Sequence, residues 1–284
     1  MPRSSNATAI AVMLLAVAVF AAMDAGLKLL VPFYPPLQLS ALRGAASLPF
    51  VLAWVLPSTG IAGLVRVRWR LHLLRGLLGT AMMASFIFAL DTMPLSTAYT
   101  IFFVGPILVA ALSAPVLRER TSLRSWVAIV VGLAGVLVVL RPGAEGLFTG
   151  SALMMLVAAS CYALSNLTVR VLSRTDSTQA MVLWLMVLLT AIATLASWSQ
   201  WVPIRSDDWP VLLGIGVAGT IGQYAMTRAF SLGEPAVVAA FEYTALPWAV
   251  GLDLVVWQVL PDPITWVGAA IIVGSGLMLL RAER

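Results

Sequence analysis

The chain has 284 residues, of which 61% are hydrophobic and 10% charged, and its mean hydropathy is +0.99. Soluble proteins carry about a quarter charged residues, so this composition excludes a soluble catalytic domain and indicates a fold embedded in lipid. The net charge of +5 comes from basic residues scattered over short loops, which favours a lipid bilayer rather than nucleic acid as their partner. The single cysteine, Cys161, excludes an internal disulfide and a cysteine metal site, and we expect no metal or cofactor.

Apolar runs between turn and charge signals predict the membrane spans, each of which needs about 20 mostly apolar residues. The first five predicted spans are residues 8–30, 37–56, 71–90, 95–117 and 126–140. The second five are residues 150–171, 179–199, 209–229, 236–258 and 263–280. The predicted fold is therefore an all-α integral membrane protein with ten transmembrane helices.

The distribution of basic residues predicts the orientation of these spans, because loops on the cytoplasmic side are enriched in Lys and Arg. With a cytoplasmic N-terminus, 13 of the 17 basic residues lie inside, Arg141 and Arg205 lie outside, and Lys28 and Arg43 lie within spans. We therefore expect both termini to be cytoplasmic.

The sequence also shows a weak internal repeat with an offset of about 141 residues. Asp24 falls on Asn166, and Pro106 falls on Pro247. We predict two five-helix repeats, residues 1–141 and 142–284. Because each repeat has an odd number of spans, the second is inverted relative to the first. Inverted repeats are typical of secondary transporters, whose substrate site lies between the repeats near the membrane midplane.

The order and spacing of many weak signals carry a family resemblance over essentially the whole chain. In the first repeat these signals are Asp24, Lys28, the stretch 36–43, Ala89, Leu90, Pro94, Ala98, Pro106, Glu119, Trp126, Gly132 and Gly135. In the second repeat they are Asn166, Arg170, Ala229, Pro235, Ala239, Pro247, Trp266 and Gly276. The chain resembles a ten-helix member of the drug/metabolite transporter superfamily, in the EamA-domain family. The glutamate that the family places near the end of helix 9 has no clear match, and Asp262 is the nearest acid.

Ionisable residues inside a span cost several kcal/mol unless they are paired or hydrated, so each is a functional candidate. Asp24 and Lys28 are four residues apart and share a helix face, so they could neutralise each other. Alternatively, Asp24 faces a cavity and binds a cationic group or a proton, while Lys28 extends outward. For Arg43 we favour a structural link, to a helix terminus or to Asp24, over substrate contact, because the resemblance places helix 2 outside the central cavity.

Glu242 is the strongest candidate, since nothing near it in sequence neutralises its charge. We expect it to bind substrate or a proton, with pairing to a distant basic residue as the alternative. Asp253 lies nearer the outer end of its span, and we expect a structural or interfacial role for it.

Aromatic and amide side chains complete the predicted site. The resemblance implies a cavity lined by helices 1, 3, 4, 6, 8 and 9, and an acid within aromatic walls attracts cations. The predicted substrate-binding residues are Asp24, Tyr99, Phe103, Tyr162, Asn166, Gln223, Tyr224, Glu242, Tyr243 and Trp248. Asp24 and Glu242 are also the candidates for proton coupling, and Pro106 and Pro247 are expected to kink their helices.

Two apparent motifs receive simpler interpretations. Gly214, Gly216 and Gly219 match the spacing of a dinucleotide-binding loop, but they lie inside a span with no preceding strand, so they predict close helix packing. His72 is the only histidine, and its position among basic residues at the inner face predicts contact with lipid headgroups.

Together these features predict a secondary active transporter that moves a small polar, zwitterionic or cationic metabolite by alternating access, with proton coupling or exchange. We expect a multi-pass protein of the inner membrane, acting as a monomer or homodimer. The alternative is an intramembrane enzyme acting on a lipid-linked substrate, although the clustered His, Asp and Glu residues that such chemistry needs are missing from the sequence.

Overall fold

The computed structural model describes residues 3–58, 61–117, 123–140, 149–233, 238 and 241–282, and these residues form an all-α fold without a β-strand. The first repeat contains α1 (Arg3–Leu30), α2 (Pro36–Ser58), the short α3 (Ile61–Val65), α4 (Trp69–Leu90), α5 (Leu95–Phe102), α6 (Val104–Leu117) and α7 (Leu123–Leu140). The second contains α8 (Gly150–Leu172), α9 (Thr178–Ser197), α10 (Trp209–Leu232), α11 (Ala245–Leu252) and α12 (Pro263–Ala282). The predicted boundary between residues 141 and 142 lies outside the described residues.

Five of the described helices are long and apolar enough to cross a membrane: α1, α2, α4, α8 and α9. Shorter apolar helices cover Leu95–Val109 and Pro263–Ser275. Each of the ten predicted spans contains a described helix, so the prediction that these apolar runs form α-helices is confirmed. The number of membrane crossings stays a prediction.

Local sequence explains where several helices begin. The Thr149 hydroxyl accepts a hydrogen bond from the Ala152 N–H at the start of α8, and Ser177 caps α9 in the same way through Ala180. Such side chains satisfy N–H groups that the first turn of a helix leaves without a partner. Polar caps at these points let each helix leave the connecting loop and enter the apolar layer at a defined residue.

The two repeats pack through antiparallel helix pairs. The pairs are α1 with α10, α2 with α9, α4 with α8, and α7 with α12. Ala9 and Gly26, near opposite ends of α1, approach Gly233 and Ile215 of α10 respectively, so these two helices run in opposite directions. By the predicted repeat, α2 is equivalent to α9 and α7 to α12. Such pairing is what an inverted second repeat requires, and the division into two inverted repeats stays a prediction.

Gly216 and Gly219 bring α10 close to α2. A Cβ on Gly216 would overlap the backbone carbonyl of Ala46, and a Cβ on Gly219 would lie 2.7 Å from the Ser47 hydroxyl. Gly214 has open space around it. The expected close packing therefore involves two of the three glycines.

Polar contacts between the repeats lie at both ends of the bundle. We call the first the Lys28 end, where the contacts join Lys28 to Asp253, Tyr34 to Asp208, Gln38 to Val202 and Thr92 to Ser151. At the opposite end, the His72 end, the His72 ring lies 2.9 Å from the Asp176 carboxylate, which also accepts a hydrogen bond from the Arg68 N–H at 3.1 Å.

His72 does not contact lipid headgroups, contrary to the expectation from sequence. It is 1% exposed and held by Asp176 from the other repeat. Burial opposes ionisation of Asp176, but hydrogen bonds from Thr175, the Arg68 N–H and His72 outweigh it, and the pKa of Asp176 lies below its usual value.

Candidate functional site

A cavity of about 120 Å³ lies between the two repeats. A void needs only about 10 to 15 Å³ to admit one water molecule, so this cavity is large enough for part of a small organic molecule. It is bounded by α1, α2, α4, α5, α8, α9, α10 and the segment that contains Glu242. Its lining residues are Val17, Phe20, Met23, Asp24, Arg43, Arg75, Gly79, Met82, Met83, Phe86, Tyr99, Phe102, Phe103, Tyr162, Ser165, Asn166, Leu185, Leu189, Gln223, Met226, Glu242 and Ala245.

Asp24 faces this cavity from α1 and is held by α5. The Tyr99 hydroxyl donates a hydrogen bond of 2.6 Å to its Oδ2. Arg43 of α2 interacts electrostatically with Asp24, and the Arg43 Nε donates to the Met23 sulfur at 3.2 Å. The Asp24 carboxylate is therefore oriented by Tyr99 and balanced by Arg43, not by Lys28.

Glu242 lines the cavity from the second repeat. It is 6% exposed and lies in a 3-10 turn, Phe241–Thr244. The Tyr162 hydroxyl donates to the Met226 sulfur at 3.5 Å and interacts electrostatically with the Glu242 carboxylate. The Tyr162 backbone carbonyl accepts from the Asn166 amide at 3.0 Å. The Oε1 atom of Glu242 has no hydrogen-bond partner in the described part of the chain. A buried carboxylate oxygen without a partner is costly, and uptake of a proton would reduce that cost.

Aromatic rings form one wall of the cavity. Phe102 contacts Phe86 and Tyr162, with ring centroids 5.6 and 5.0 Å apart, and Tyr99 contacts Phe86 at 6.1 Å and Phe103 at 6.4 Å. The faces of such rings carry negative potential and attract cations. The wall therefore favours a ligand with an apolar body and a positive centre.

Arg75 lines the cavity, although it is one of the 13 basic residues that the charge distribution assigns to the cytoplasmic side. It is 1% exposed, and its guanidinium donates to the Met181 carbonyl at 2.7 Å and to the Thr227 hydroxyl at 3.3 Å. The same hydroxyl accepts from Gln223 at 3.2 Å. The sequence did contain one indication of a buried Arg75, because this residue falls inside the predicted span 71–90, where a charged side chain requires partners.

Seven of the ten predicted substrate-binding residues line the cavity, and three do not. The seven are Asp24, Tyr99, Phe103, Tyr162, Asn166, Gln223 and Glu242. Tyr243 is buried behind the wall, with its ring 5.2 Å from Phe103. Tyr224 and Trp248 are 39% and 53% exposed on the outer surface, where lipid surrounds the helices, so we leave them out of the proposed site.

Lys28 and Asp253 form an ion pair at 3.5 Å, so the interpretation in which Lys28 neutralises Asp24 is wrong. Lys28 also donates to the Met93 carbonyl at 3.2 Å. Asp253 accepts the N–H groups of Leu95 and Ser96 at 3.1 and 2.7 Å and thereby caps α5. The expected structural role of Asp253 matches these contacts.

The helices that contain Pro106 and Pro247 are both interrupted beside the cavity. The break between α5 and α6 falls at Phe103, and the 3-10 turn before α11 ends at Thr244, each three residues before the proline. A proline disturbs the preceding turn because it removes a donor and crowds a carbonyl. The side chain of Pro106 itself lies outside the described residues.

Comparison with known proteins identifies the class of protein that this fold and cavity represent. The model of the EamA-like transporter family matches residues 7–141 and 149–281, so one match falls in each predicted repeat. The chain belongs to the EamA-like transporter family. It is therefore a membrane transporter of small molecules and not an intramembrane enzyme.

Several relatives of known function share about three quarters of the chain. The pseudopaline exporter CntI of Pseudomonas aeruginosa is 28% identical, over 75% of each chain. The riboflavin transporter of Vibrio cholerae is 30% identical, and the S-adenosylmethionine uptake transporter of Rickettsia conorii is 29% identical; each match covers 75% of this chain and 72% of the relative. A solved crystal structure with 21% identity and a TM-score of 0.72 covers 100% of both chains and supports the fold.

Proposed function

We propose that the protein is a secondary transporter that moves a small zwitterionic or cationic organic metabolite across the cytoplasmic membrane by alternating access. The observation that carries this proposal is the buried Glu242 carboxylate, which faces the cavity with one oxygen unpartnered in the described structure. The aromatic wall beside it supports a substrate with a positive centre. The His72 end is the cytoplasmic end in this proposal, following the charge distribution of the sequence.

Glu242 has two possible roles in such a cycle, and they have different consequences. As a substrate ligand, its carboxylate pairs with the positive centre in every binding step. As the coupling group, it takes up a proton on one side and releases it on the other, which neutralises a charge that is costly to move through lipid. Both roles require a carboxylate, and glutamine keeps the size of the side chain while removing the charge.

Transport by purified protein in liposomes tests the proposal. The variants are Glu242→Gln and Asp24→Asn, with Asp207→Asn as the control because Asp207 is exposed in the loop before α10. Riboflavin, S-adenosylmethionine and the amino acids serve as labelled solutes. Removing one member of a buried charge pair costs about 2 to 5 kcal/mol, so we expect transport to fall about 30-fold or more in Glu242→Gln.

Two assays separate the two roles of Glu242. A substrate-binding role predicts that Glu242→Gln loses both uptake driven by a pH gradient and exchange of labelled for unlabelled solute. A coupling role predicts that uptake is lost and exchange is kept. Wild-type activity in both Glu242→Gln and Asp24→Asn overturns the site, and no transport by the wild type of any solute in the panel overturns the proposed function.

A further inference from the structure

Arg43 and Asp24 form an incomplete ion pair on the cavity wall. They are 3% and 7% exposed, line the same cavity and interact electrostatically. No nitrogen–oxygen distance of 4.0 Å or less joins them in the described structure. Two buried opposite charges normally approach until they form hydrogen bonds, because desolvation costs several kcal/mol per ion. Something other than direct pairing must therefore complete their coordination.

Both side chains keep unused hydrogen-bonding atoms. Among the residues that the structure describes, Arg43 donates only through Nε, to the weak sulfur acceptor of Met23 at 3.2 Å. Its guanidinium lies 5.8 Å from the centre of the Phe20 ring. Within the described part of the chain, Asp24 accepts only at Oδ2, from Tyr99. The terminal nitrogens of Arg43 and the Oδ1 atom of Asp24 are absent from the enclosed, unpartnered polar atoms of the described chain, and both residues line the cavity.

We propose that Arg43 and Asp24 together recognise a zwitterionic substrate, with Arg43 binding its carboxylate and Asp24 its ammonium group. This inference rests on the proposed transport function and narrows its substrate to molecules that carry both charges. A guanidinium binds a carboxylate through two parallel hydrogen bonds, for which its terminal nitrogens are suited. The ligand then bridges the two protein charges and supplies each with the partner it lacks.

Arg43 is held in a position that suits this role. The Gln38 side chain, about one and a half turns earlier in α2, makes two hydrogen bonds with the Val202 backbone, at 2.6 and 2.9 Å. Gly44 lets α2 approach α9 so closely that a Cβ there would overlap the Thr190 hydroxyl. These contacts fix the position of α2 along its axis and its rotation about that axis. Through Arg43, α2 contributes to the cavity, contrary to the expectation from the family resemblance.

The other arginine of the cavity does not offer the same chemistry. Two of the three nitrogens of the Arg75 guanidinium already donate to the Met181 carbonyl and the Thr227 hydroxyl. Its remaining nitrogen, Nε, is enclosed and offers a single N–H. Arg43 is therefore the better carboxylate site.

Binding measurements with matched ligands test this assignment. The ligands are the twenty amino acids and S-adenosylmethionine, and each zwitterion that binds is compared with its methyl ester, which lacks the negative charge, and its N-acetyl derivative, which lacks the ammonium. For the wild type we expect each derivative to bind about 10- to 100-fold more weakly than the parent zwitterion. In Arg43→Gln the preference for the zwitterion over the ester should disappear, and in Arg43→Lys it should be partly retained.

For each variant we compare the ratio of its affinities for the zwitterion and the derivative. Partial unfolding lowers both affinities equally and leaves this ratio unchanged. The double variant Arg43→Gln, Asp24→Asn removes both charges together, leaves no unbalanced charge behind and should bind ester and zwitterion equally. Arg205→Gln, at a half-exposed loop arginine, serves as the control with wild-type preference. An unchanged zwitterion preference in Arg43→Gln, or a wild type that binds only singly charged ligands, overturns the inference. Absence of transport of every solute by the wild type would instead overturn the proposed function.

Discussion

Replacing Asp253 by asparagine removes the negative charge that joins the two repeats at the Lys28 end. In the wild type the carboxylate is 0% exposed, accepts two backbone N–H groups of α5, and lies 3.5 Å from the Lys28 ammonium. The asparagine oxygen can still accept one N–H, but its NH₂ group faces the other donor. Lys28 keeps the Met93 carbonyl as its partner and loses its counter-ion.

Two losses set the size of the effect. A hydrogen bond to a charged group contributes about 1.5 to 3 kcal/mol, and breaking a buried ion pair costs about 3 to 5 kcal/mol. The two estimates overlap because the same carboxylate serves both contacts, so we expect the free energy of unfolding of Asp253→Asn to fall by about 3 to 5 kcal/mol. At about 2 to 4 °C per kcal/mol, the unfolding temperature should fall by roughly 6 to 20 °C.

Thermal unfolding in detergent, followed by tryptophan fluorescence, measures this shift. Asp207→Asn makes the same chemical change in an exposed side chain near the same end and should unfold within about 2 °C of the wild type. A further variant, Lys28→Met with Asp253→Asn, removes both charges and should recover part of the lost stability. Equal unfolding temperatures for Asp253→Asn and Asp207→Asn would refute the assignment of Asp253 as a buried cap and counter-ion.

Two further predictions concern other parts of the fold. The lowered pKa of Asp176 stabilises the folded state above its usual value of 3.8, and this contribution is lost as the pH falls through the still lower folded value. Asp176→Asn should therefore unfold at a lower temperature than the wild type at pH 6, and the difference should shrink below about pH 4; a constant difference contradicts this. Gly216→Ala should cost about 1 to 3 kcal/mol because its Cβ overlaps the Ala46 carbonyl, whereas Gly214→Ala, with open space around it, should be neutral or slightly stabilising. Equal stability of these two variants in thermal unfolding would show that α10 does not pack on α2 at Gly216.

The sequence predicted the helices well because the length of an apolar run is a local property. Every predicted span contains a helix, and Asp24 and Glu242, the two acids chosen as functional, face one cavity. Both acids could be singled out from the sequence because a charge within a membrane-length apolar segment is costly wherever its helix lies in the fold. Their roles in binding stay predictions. The EamA resemblance likewise rested on order and spacing, which one sequence displays.

The sequence did not predict which side of each helix faces the cavity and which side faces lipid. A helix that is apolar around its whole circumference has no polar stripe to show which side meets lipid. For that reason Tyr224 and Trp248 were included in the site although they are exposed. Similarly, Asp24 was considered as the counter-ion of Lys28 because it lies four residues away. The actual partner, Asp253, is 225 residues distant in the sequence. Contacts between the repeats depend on the assembled bundle and leave no local pattern.

The cap on α5 has a consequence for the order in which the protein assembles in the membrane. The N–H groups of Leu95 and Ser96 receive their acceptor from a residue that follows 158 and 157 positions later in the chain. During synthesis, the residues before Asp253 are made first. Until Asp253 is present, the N–H groups of Leu95 and Ser96 lack this acceptor, and water at the membrane interface can solvate them. Insertion of the segment 241–257 then seals that helix end. A chain truncated before Asp253 therefore lacks the acceptor of these two N–H groups at the start of α5.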